Sequence, residues 1–330
     1  MQATTTALDL SPNLLKNGPM LNVSPSPTDG CFDVVPGQRW SQGFATYGGY
    51  VAASALKAAR LAGHERPLLS AQVNYLAPSA VTGYQVKIEA LRVGRGTSIV
   101  QAQVWSGQAK TPDAPPVLSA VILFTFGQPR ESEVQISQNL DAEQLKDFEC
   151  MIAKQPDLLV VKDVVPGFLS NFQVRPLLHG VPFSGKLVQD HVWAFRLEPS
   201  ADDTVQEFLL LVSDINPPPI ITLLDQPAPA STMTWMASFE HPLPDHLDDG
   251  WIYVVMHQDS AAGGYGSHST MLFDAQGRHL TSNRQATAHF ERNVGQRGMK
   301  SIARKLSFRA TYSLYRMVMR ISGLLKRGTK

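Results

Sequence analysis

Tyr47-Gly48-Gly49-Tyr50 opens a helical stretch, Val51 to Ala62. It is followed by Ala71-Gln72-Val73-Asn74-Tyr75-Leu76-Ala77-Pro78 and by alternating segments that end at Phe124-Thr125-Phe126. The same order returns further along. A helical stretch from Val205 to Ile215 precedes Thr234-Trp235-Met236-Ala237-Ser238-Phe239-Glu240-His241-Pro242, and alternating segments then end at Ala288-His289-Phe290. Pro78 and Pro242 lie 164 residues apart, and Phe124 and Phe290 lie 166 apart. A helix followed by a meander of long strands, made twice at a nearly constant offset, predicts two copies of one α+β fold side by side. Two copies can diverge, so that only one keeps the chemistry.

Each unit reads as a helix and a set of antiparallel strands. In the first, Val51, Ala55, Leu56 and Ala59 share one helical stripe, and Ala52, Ala53 and Ser54 allow close approach to a sheet. Strands are predicted over Leu69–Leu76, Tyr84–Val93, Thr97–Trp105 and Val117–Phe126, with Gly94-Arg95-Gly96 as a hairpin signal. Residues 128–167 are a connector with an acidic helical candidate, Asp141–Ala153. The second unit begins with Asn171–Pro176 and a strand at His191–Arg196 before its helix, which should stop at Pro217-Pro218-Pro219 because proline has no backbone donor. Strands at Met233–His241, Trp251–Ser260, Gly266–Phe273 and Leu280–Phe290 follow. The expected boundaries are a flexible lead-in over 1–30, units at 31–127 and 168–292, and a basic helix over 299–330.

Composition narrows the function classes. Of 330 residues, 43 % are hydrophobic and 17 % charged, which suits two packed cores and not a disordered chain. The net charge of +1 is unevenly spread: nine Lys or Arg and no acid lie between Lys300 and Lys330, leaving −8 on the remaining 299 residues. A mildly acidic body does not read as a nucleic-acid binder. Cys31 and Cys150 are isolated, so neither a disulfide framework nor a zinc site is expected. There is no signal-like N-terminal apolar segment and no uncharged apolar run of membrane-spanning length, so a cytoplasmic protein is the expectation.

A helix wrapped by a strongly bent antiparallel sheet is the hotdog fold, and the ordered strings resemble the acyl-CoA thioesterase II family, the TesB-like double-hotdog thioesterases. The strings are Tyr47-Gly48-Gly49 with Leu76-Ala77-Pro78, then Val174-Arg175-Pro176, Val192-Trp193, Ser213-Asp214-Ile215-Asn216, Thr232 before Phe239-x-x-Pro242, and Thr281-Ser282-Asn283-Arg284-Gln285. They span roughly residues 32–292. The resemblance implies hydrolysis of acyl-CoA to a fatty acid and coenzyme A, with no cofactor. It implies that Asp214, Thr232 and Gln285 of the second unit hold the hydrolytic water, and it is compatible with a homodimer. Residue types fit that task. A thioester carbonyl is already electrophilic, so an oriented water and a carboxylate to take its proton suffice. Thr and Gln supply neutral hydrogen bonds.

Competing readings of these residues stand beside that one. An acid in an apolar helix ordinarily faces solvent, and Asp214 sits near a helix C-terminus, where the dipole disfavours a negative charge. A slip of register would move the threonine role to Thr234. Gln285 lies in a strand whose polar residues are expected to alternate outward. Three prolines after Asp214 and Ala286-Thr287 after Gln285 depart from the family pattern. Gly48-Gly49 read as a sharp start to the first helix, with close backbone approach to a ligand as the alternative, and Gly263-Gly264-Tyr265-Gly266 as a bulge in a bent strand. Ser54-x-x-Lys57 reads as a chance match to a serine acyltransferase motif, lacking its partner motifs. The alternatives are a non-catalytic acyl-CoA-binding double hotdog and a hotdog enoyl-CoA hydratase or dehydratase. No Asp with a His at short following spacing lies near either central helix to support the latter.

In the tail, Ile302, Leu306, Ala310, Leu314, Met317, Val318, Ile321, Leu324 and Leu325 recur at spacings of three and four, with Arg304, Lys305, Arg309, Arg316 and Arg320 on other faces. Two readings apply to residues 300–325: a helix docked on the acidic body, or peripheral contact with anionic membrane.

Overall fold

The computed structural model describes residues 20–107, 115–134, 136–158, 165–178, 180, 182–197, 202–225, 228–247 and 250–290. The basic segment 300–325 lies outside them. Among the described residues no helix is long and apolar enough to cross a membrane.

The first unit contains β1 (Val23–Pro25), β2 (Cys31–Val34), the short hairpin β3 (Ser41–Gln42) and β4 (Ala45–Thr46), α1 (Gly48–Leu61), β5 (Leu68–Tyr75), β6 (Tyr84–Val93), β7 (Thr97–Ser106) and β8 (Val117–Gly127). After α2 (Ala142–Lys154), the second unit contains β9 (Gln173–Leu178), β10 (Asp190–Arg196), α3 (Val205–Ser213), β11 (Ala230–Phe239), β12 (Trp251–Ala262), β13 (Tyr265–Phe273) and β14 (His279–His289). Twelve of these strands form one antiparallel sheet in the order β1-β2-β6-β7-β8-β5-β11-β14-β13-β12-β10-β9. The second half repeats the first in reverse, which is a double hotdog with the two sheets joined through β5 and β11.

Register makes the repeat quantitative. Gln72 of β5 faces Met236 of β11, 164 residues on, and each strand carries a register shift at the matching place, between Leu68 and Ser70 and between Thr232 and Thr234. The last strands correct the sequence reading. Ala71 faces Phe124 as Trp235 faces Gln285, so the offset there is 161 and not 166. Phe124 therefore corresponds to Gln285.

The two helices lie antiparallel inside the bent sheet. Lys57 of α1 contacts Asp203 just before α3 at 2.6 Å, and Arg60 donates to Gln206 at 2.5 Å. Ala52, Ala53, Ala55, Ala58 and Ala59 are fully buried, and their small side chains let the backbones approach. Inserting methylenes into such a seam typically costs about 1–3 kcal/mol. Ser54 bonds the Tyr84 hydroxyl at 2.8 Å, so both polar residues of the Ser-x-x-Lys string serve packing.

Some expectations change. The lead-in is not loose over its described part: Met20 and Leu21 are buried and β1 pairs with β2. Pro25 is tolerated because β1 is an edge strand. Gly263 and Gly264, with φ of 61° and 85°, form the two-residue turn of the β12–β13 hairpin and not a bulge. α2, started by a reciprocal cap between Asp141 and Gln144, lays Leu145, Phe148, Met151 and Ile152 against Leu177, Trp251 and Tyr253 of the second unit.

Candidate active site

α3 stops at Ser213, two residues earlier than expected, and Asp214 is its cap. The last turn is satisfied by side chains: Ser213 Oγ donates to Leu209 O at 2.7 Å, and the Tyr47 hydroxyl, from the other unit, donates to Leu211 O at 2.5 Å. Asp214 therefore leaves the helical surface and turns toward the first turn of α1. The unfavourable dipole of its own helix is opposed by the positive end of α1, whose Gly49 N–H donates to the carboxylate.

Thr232 and Gln285 converge on the same carboxylate. Gln285 Nε2 donates to Asp214 Oδ1 at 3.1 Å, and Thr232 Oγ1 lies 3.3 Å from Asp214 Oδ1 and 3.4 Å from Gln285 Oε1. A hydroxyl has one proton, so Thr232 donates to one of these oxygens at a time. The structure thus brings together all three residues singled out in the sequence. Thr234, the alternative, is exposed and pairs with Asn74 and Ala286. Gln285 points inward, against expectation, and is 5 % exposed. The reason lies in β14, whose inward row is its polar one: Thr281, Asn283, Gln285, Thr287 and His289 are all buried.

Burial pushes the Asp214 carboxyl up to about 7, with the bonds from Gln285, Thr232 and Gly49 working in the opposite direction. The carboxylate is enclosed, yet the residue keeps partial solvent access. Such a group changes charge near neutral pH, the property a general base requires. The phenols of Tyr47 and Tyr75 are raised well above their ordinary value, first by burial and then by the Asp214 charge, so both remain neutral donors.

The sequence reading missed the contribution of the first unit. A Cβ on Gly48 would sit 2.5 Å from Asp214 Oδ2 and 3.0 Å from the Tyr75 hydroxyl, and one on Gly49 would collide with Leu211 O. The glycine pair is a space requirement and not merely a sharp start to α1. Tyr75 donates to Gly48 O at 2.8 Å and holds this turn in place. Two adjacent glycines where the other repeat's helix starts with Val205-Gln206 were the available signal.

Comparison with known proteins agrees with this fold. The acyl-CoA thioesterase N-terminal domain family matches residues 36–125, and the acyl-CoA thioesterase C-terminal domain family matches residues 143–288. Among solved structures, a hot dog fold protein of unknown function from Alicyclobacillus acidocaldarius is similar at 20 % identity and a TM-score of 0.60, covering 82 % of this chain and 96 % of its own. The acyl-CoA thioesterase II TesB2 of Mycobacterium marinum is similar at 15 % identity and a TM-score of 0.60, covering 83 % and 98 %. A TesB protein of Mycobacterium avium is similar at 14 % identity and a TM-score of 0.58, covering 82 % and 96 %. At these identities the structural likeness concerns the fold. No curated protein matches the chain.

Proposed function

The chain belongs to the TesB-like family of acyl-CoA thioesterases, and from that premise we propose that it hydrolyses acyl-CoA thioesters with Asp214 as general base and Thr232 and Gln285 as the groups that orient water. Convergence of these three side chains on one point, against the N-terminal turn of α1, carries the reading.

In this reaction a water oxygen attacks the thioester carbonyl carbon while its proton passes to the Asp214 carboxylate. The tetrahedral intermediate collapses, the C–S bond breaks, and the proton returns from Asp214 to the departing thiolate. The products are a carboxylic acid and the thiol of coenzyme A. Positioned proton transfer of this kind contributes about 10²- to 10⁴-fold. Thr232 and Gln285 restrict the direction of attack. The N-terminal turn of α1 offers backbone dipole to the developing oxyanion, and Gly48, lacking a Cβ, leaves room there for the Asp214 carboxylate and the Tyr75 hydroxyl.

Thiol release from saturated acyl-CoA, followed with a thiol-reactive dye, tests the reading. Wild-type protein should turn over, and Asp214→Asn should lose at least ~100-fold in kcat with an unchanged fold. A well-folded Asp214→Asn protein with near wild-type kcat would overturn the assignment.

A further inference from the structure

The Asp214 carboxylate is held from two sides. Gln285 Nε2 at 3.1 Å and Thr232 Oγ1 at 3.3 Å both meet Oδ1. Oδ2 faces Gly48, so closely that a Cβ there would come within 2.5 Å of it. The first turn of α1 is therefore the wall that keeps the carboxylate from rotating away from Gln285. That wall is itself braced: the Tyr75 hydroxyl donates to Gly48 O at 2.8 Å.

Tyr75 belongs to the first unit, and the joined sheet brings it to this place. Asn74 pairs with Thr234, so Tyr75 comes next to the shifted register of β11 that carries Thr232. The internal repeat supplies a comparison. Tyr75 faces Ala120 as Phe239 faces Thr281, so Phe239 holds the corresponding position at the other end of the helix pair. There the ring is kept and the hydroxyl is missing. The fold thus needs an aromatic ring at this position but not the phenol oxygen, which of the two copies only the one beside Asp214 carries. Burial, and then the Asp214 charge, hold the Tyr75 phenol well above its ordinary pKa, so it stays a donor at working pH.

We propose that Tyr75 is a positioning residue: its hydroxyl fixes the Gly48 turn, and that turn fixes the Asp214 carboxylate for proton transfer. The proposal rests on the reading of Asp214 as the base. It gives the first unit a part in the reaction through one oxygen atom. Without that oxygen the turn can recede, and the carboxylate can swing off the line on which it meets the water.

Tyr75→Phe gives this position the residue its counterpart already has, so the variant should fold. Its kcat should fall about 10- to 100-fold, as misplacement of a catalytic group does, with KM changed less than about threefold. Replacing Tyr75 by 4-aminophenylalanine keeps a donor at the same place and should hold kcat within about threefold of wild type. Tyr84→Phe removes another buried phenol of the first unit, bonded to Ser54 at 2.8 Å. It should lower the melting temperature and leave kcat within about twofold, since a lost packing hydrogen bond acts on stability. Tyr75→Phe and Gly48→Ala together should cost less than the product of their separate losses, because both move one turn. Wild-type kcat in a folded Tyr75→Phe protein would overturn the proposal, and so would losses that multiply in full. Asp214→Asn separates the failures. If it keeps turnover, the base assignment and this proposal both fall. If it abolishes turnover while Tyr75→Phe keeps wild-type kcat, only the positioning role falls. Where Tyr75→Phe does not fold, the 4-aminophenylalanine protein decides: kcat near wild type supports donation to Gly48 O, and a loss of about 10-fold or more overturns it.

Discussion

The antiparallel pair α1–α3 has two ends, related by the internal repeat. At one end Gly48 and Gly49 meet Asp214, Thr232 and Gln285. At the other, the C-terminus of α1 meets the N-terminus of α3, and Leu68 and Phe124 take the ladder positions of Thr232 and Gln285. There Gln206 bridges the backbone N–H and C=O of Leu68, both at 2.9 Å, and receives Arg60. Arg60 also lies 5.3 Å from the centre of the Phe126 ring. The same scaffold thus builds a carboxylate site with partial solvent access at one end and a closed, internally satisfied joint at the other. The difference is carried by few side chains: β8 turns Ala120, Ile122, Phe124 and Phe126 inward, where β14 turns Thr281, Asn283, Gln285 and Thr287.

The sharpest way to break this comparison is to damage both ends equally. Asp214→Asn should lose ~10²- to 10⁴-fold in kcat. Gln206→Leu at the closed end should leave kcat within about twofold. It should still destabilise the protein by about 1–3 kcal/mol, because two buried backbone groups of Leu68 lose their partner. Chemical denaturation alongside thiol-release kinetics reads both. Comparable losses of kcat would mean that the closed end also carries chemistry.

Gly48→Ala sharpens the contrast at intermediate size. The added Cβ would come within 2.5 Å of Asp214 Oδ2, so the carboxylate or the α1 turn must move. We expect kcat to fall about 10-fold or more, as misplacement of a catalytic group does. Helix propensity works the other way, since alanine is preferred to glycine by about 1 kcal/mol. A loss of turnover without loss of melting temperature would therefore mark a displaced carboxylate and not a damaged helix. Wild-type kcat would show that the site has slack.

Much of this was readable beforehand, for identifiable reasons. β6 was placed with its observed bounds because its period-two alternation is strong and a glycine turn follows it. The repeat was visible at β5 and β11, where the 164-residue offset is also the separation of their matching register shifts, Leu68/Ser70 and Thr232/Thr234. It failed at β8 and β14, where matching terminal phenylalanines misaligned the strands by five residues and hid the Phe124–Gln285 correspondence. The inward direction of Gln285 was misjudged because alternation alone does not say which face is the core; an inward polar row inverts the usual rule. The role of Gly48 was out of reach for another reason. It depends on a contact with Asp214, 166 residues away in the chain, which only the meeting of two helices creates.

The smallest effect separates stability from function. Glu207 lies at the closed end, in the first turn of α3, where it accepts from the Thr204 N–H at 2.8 Å. Burial raises its carboxyl from 4.5 to about 7, against the bond from Thr204, while Asp203 raises it further and Lys57 and Arg60 lower it. A carboxyl with a raised folded-state pKa binds its proton more tightly in the native protein than in the unfolded chain. Its favourable contribution is fully present below about 4.5 and is lost as pH rises through about 7. Asp214, raised from 3.8 to about 7, acts in the same direction. These two carboxyls therefore favour pH 5 over pH 8, while the imidazoles of His268, His64 and His241, all lowered by burial, act in the opposite direction. Glutamine keeps the helix-capping role at this position and removes the charge. Glu207→Gln should thus stabilise the protein at pH 8 by on the order of 1 kcal/mol, and the gain should shrink toward pH 5. Turnover should not change, because Glu207 belongs to the end where Leu68 and Phe124 replace the water-holding set. Asp214→Asn should flatten the same pH dependence while abolishing turnover. Denaturation curves at the two pH values, with kcat measured on the same samples, check both claims. A Glu207→Gln protein that is destabilised at pH 8, or that loses kcat, would show that the ionised carboxylate is needed at the closed end.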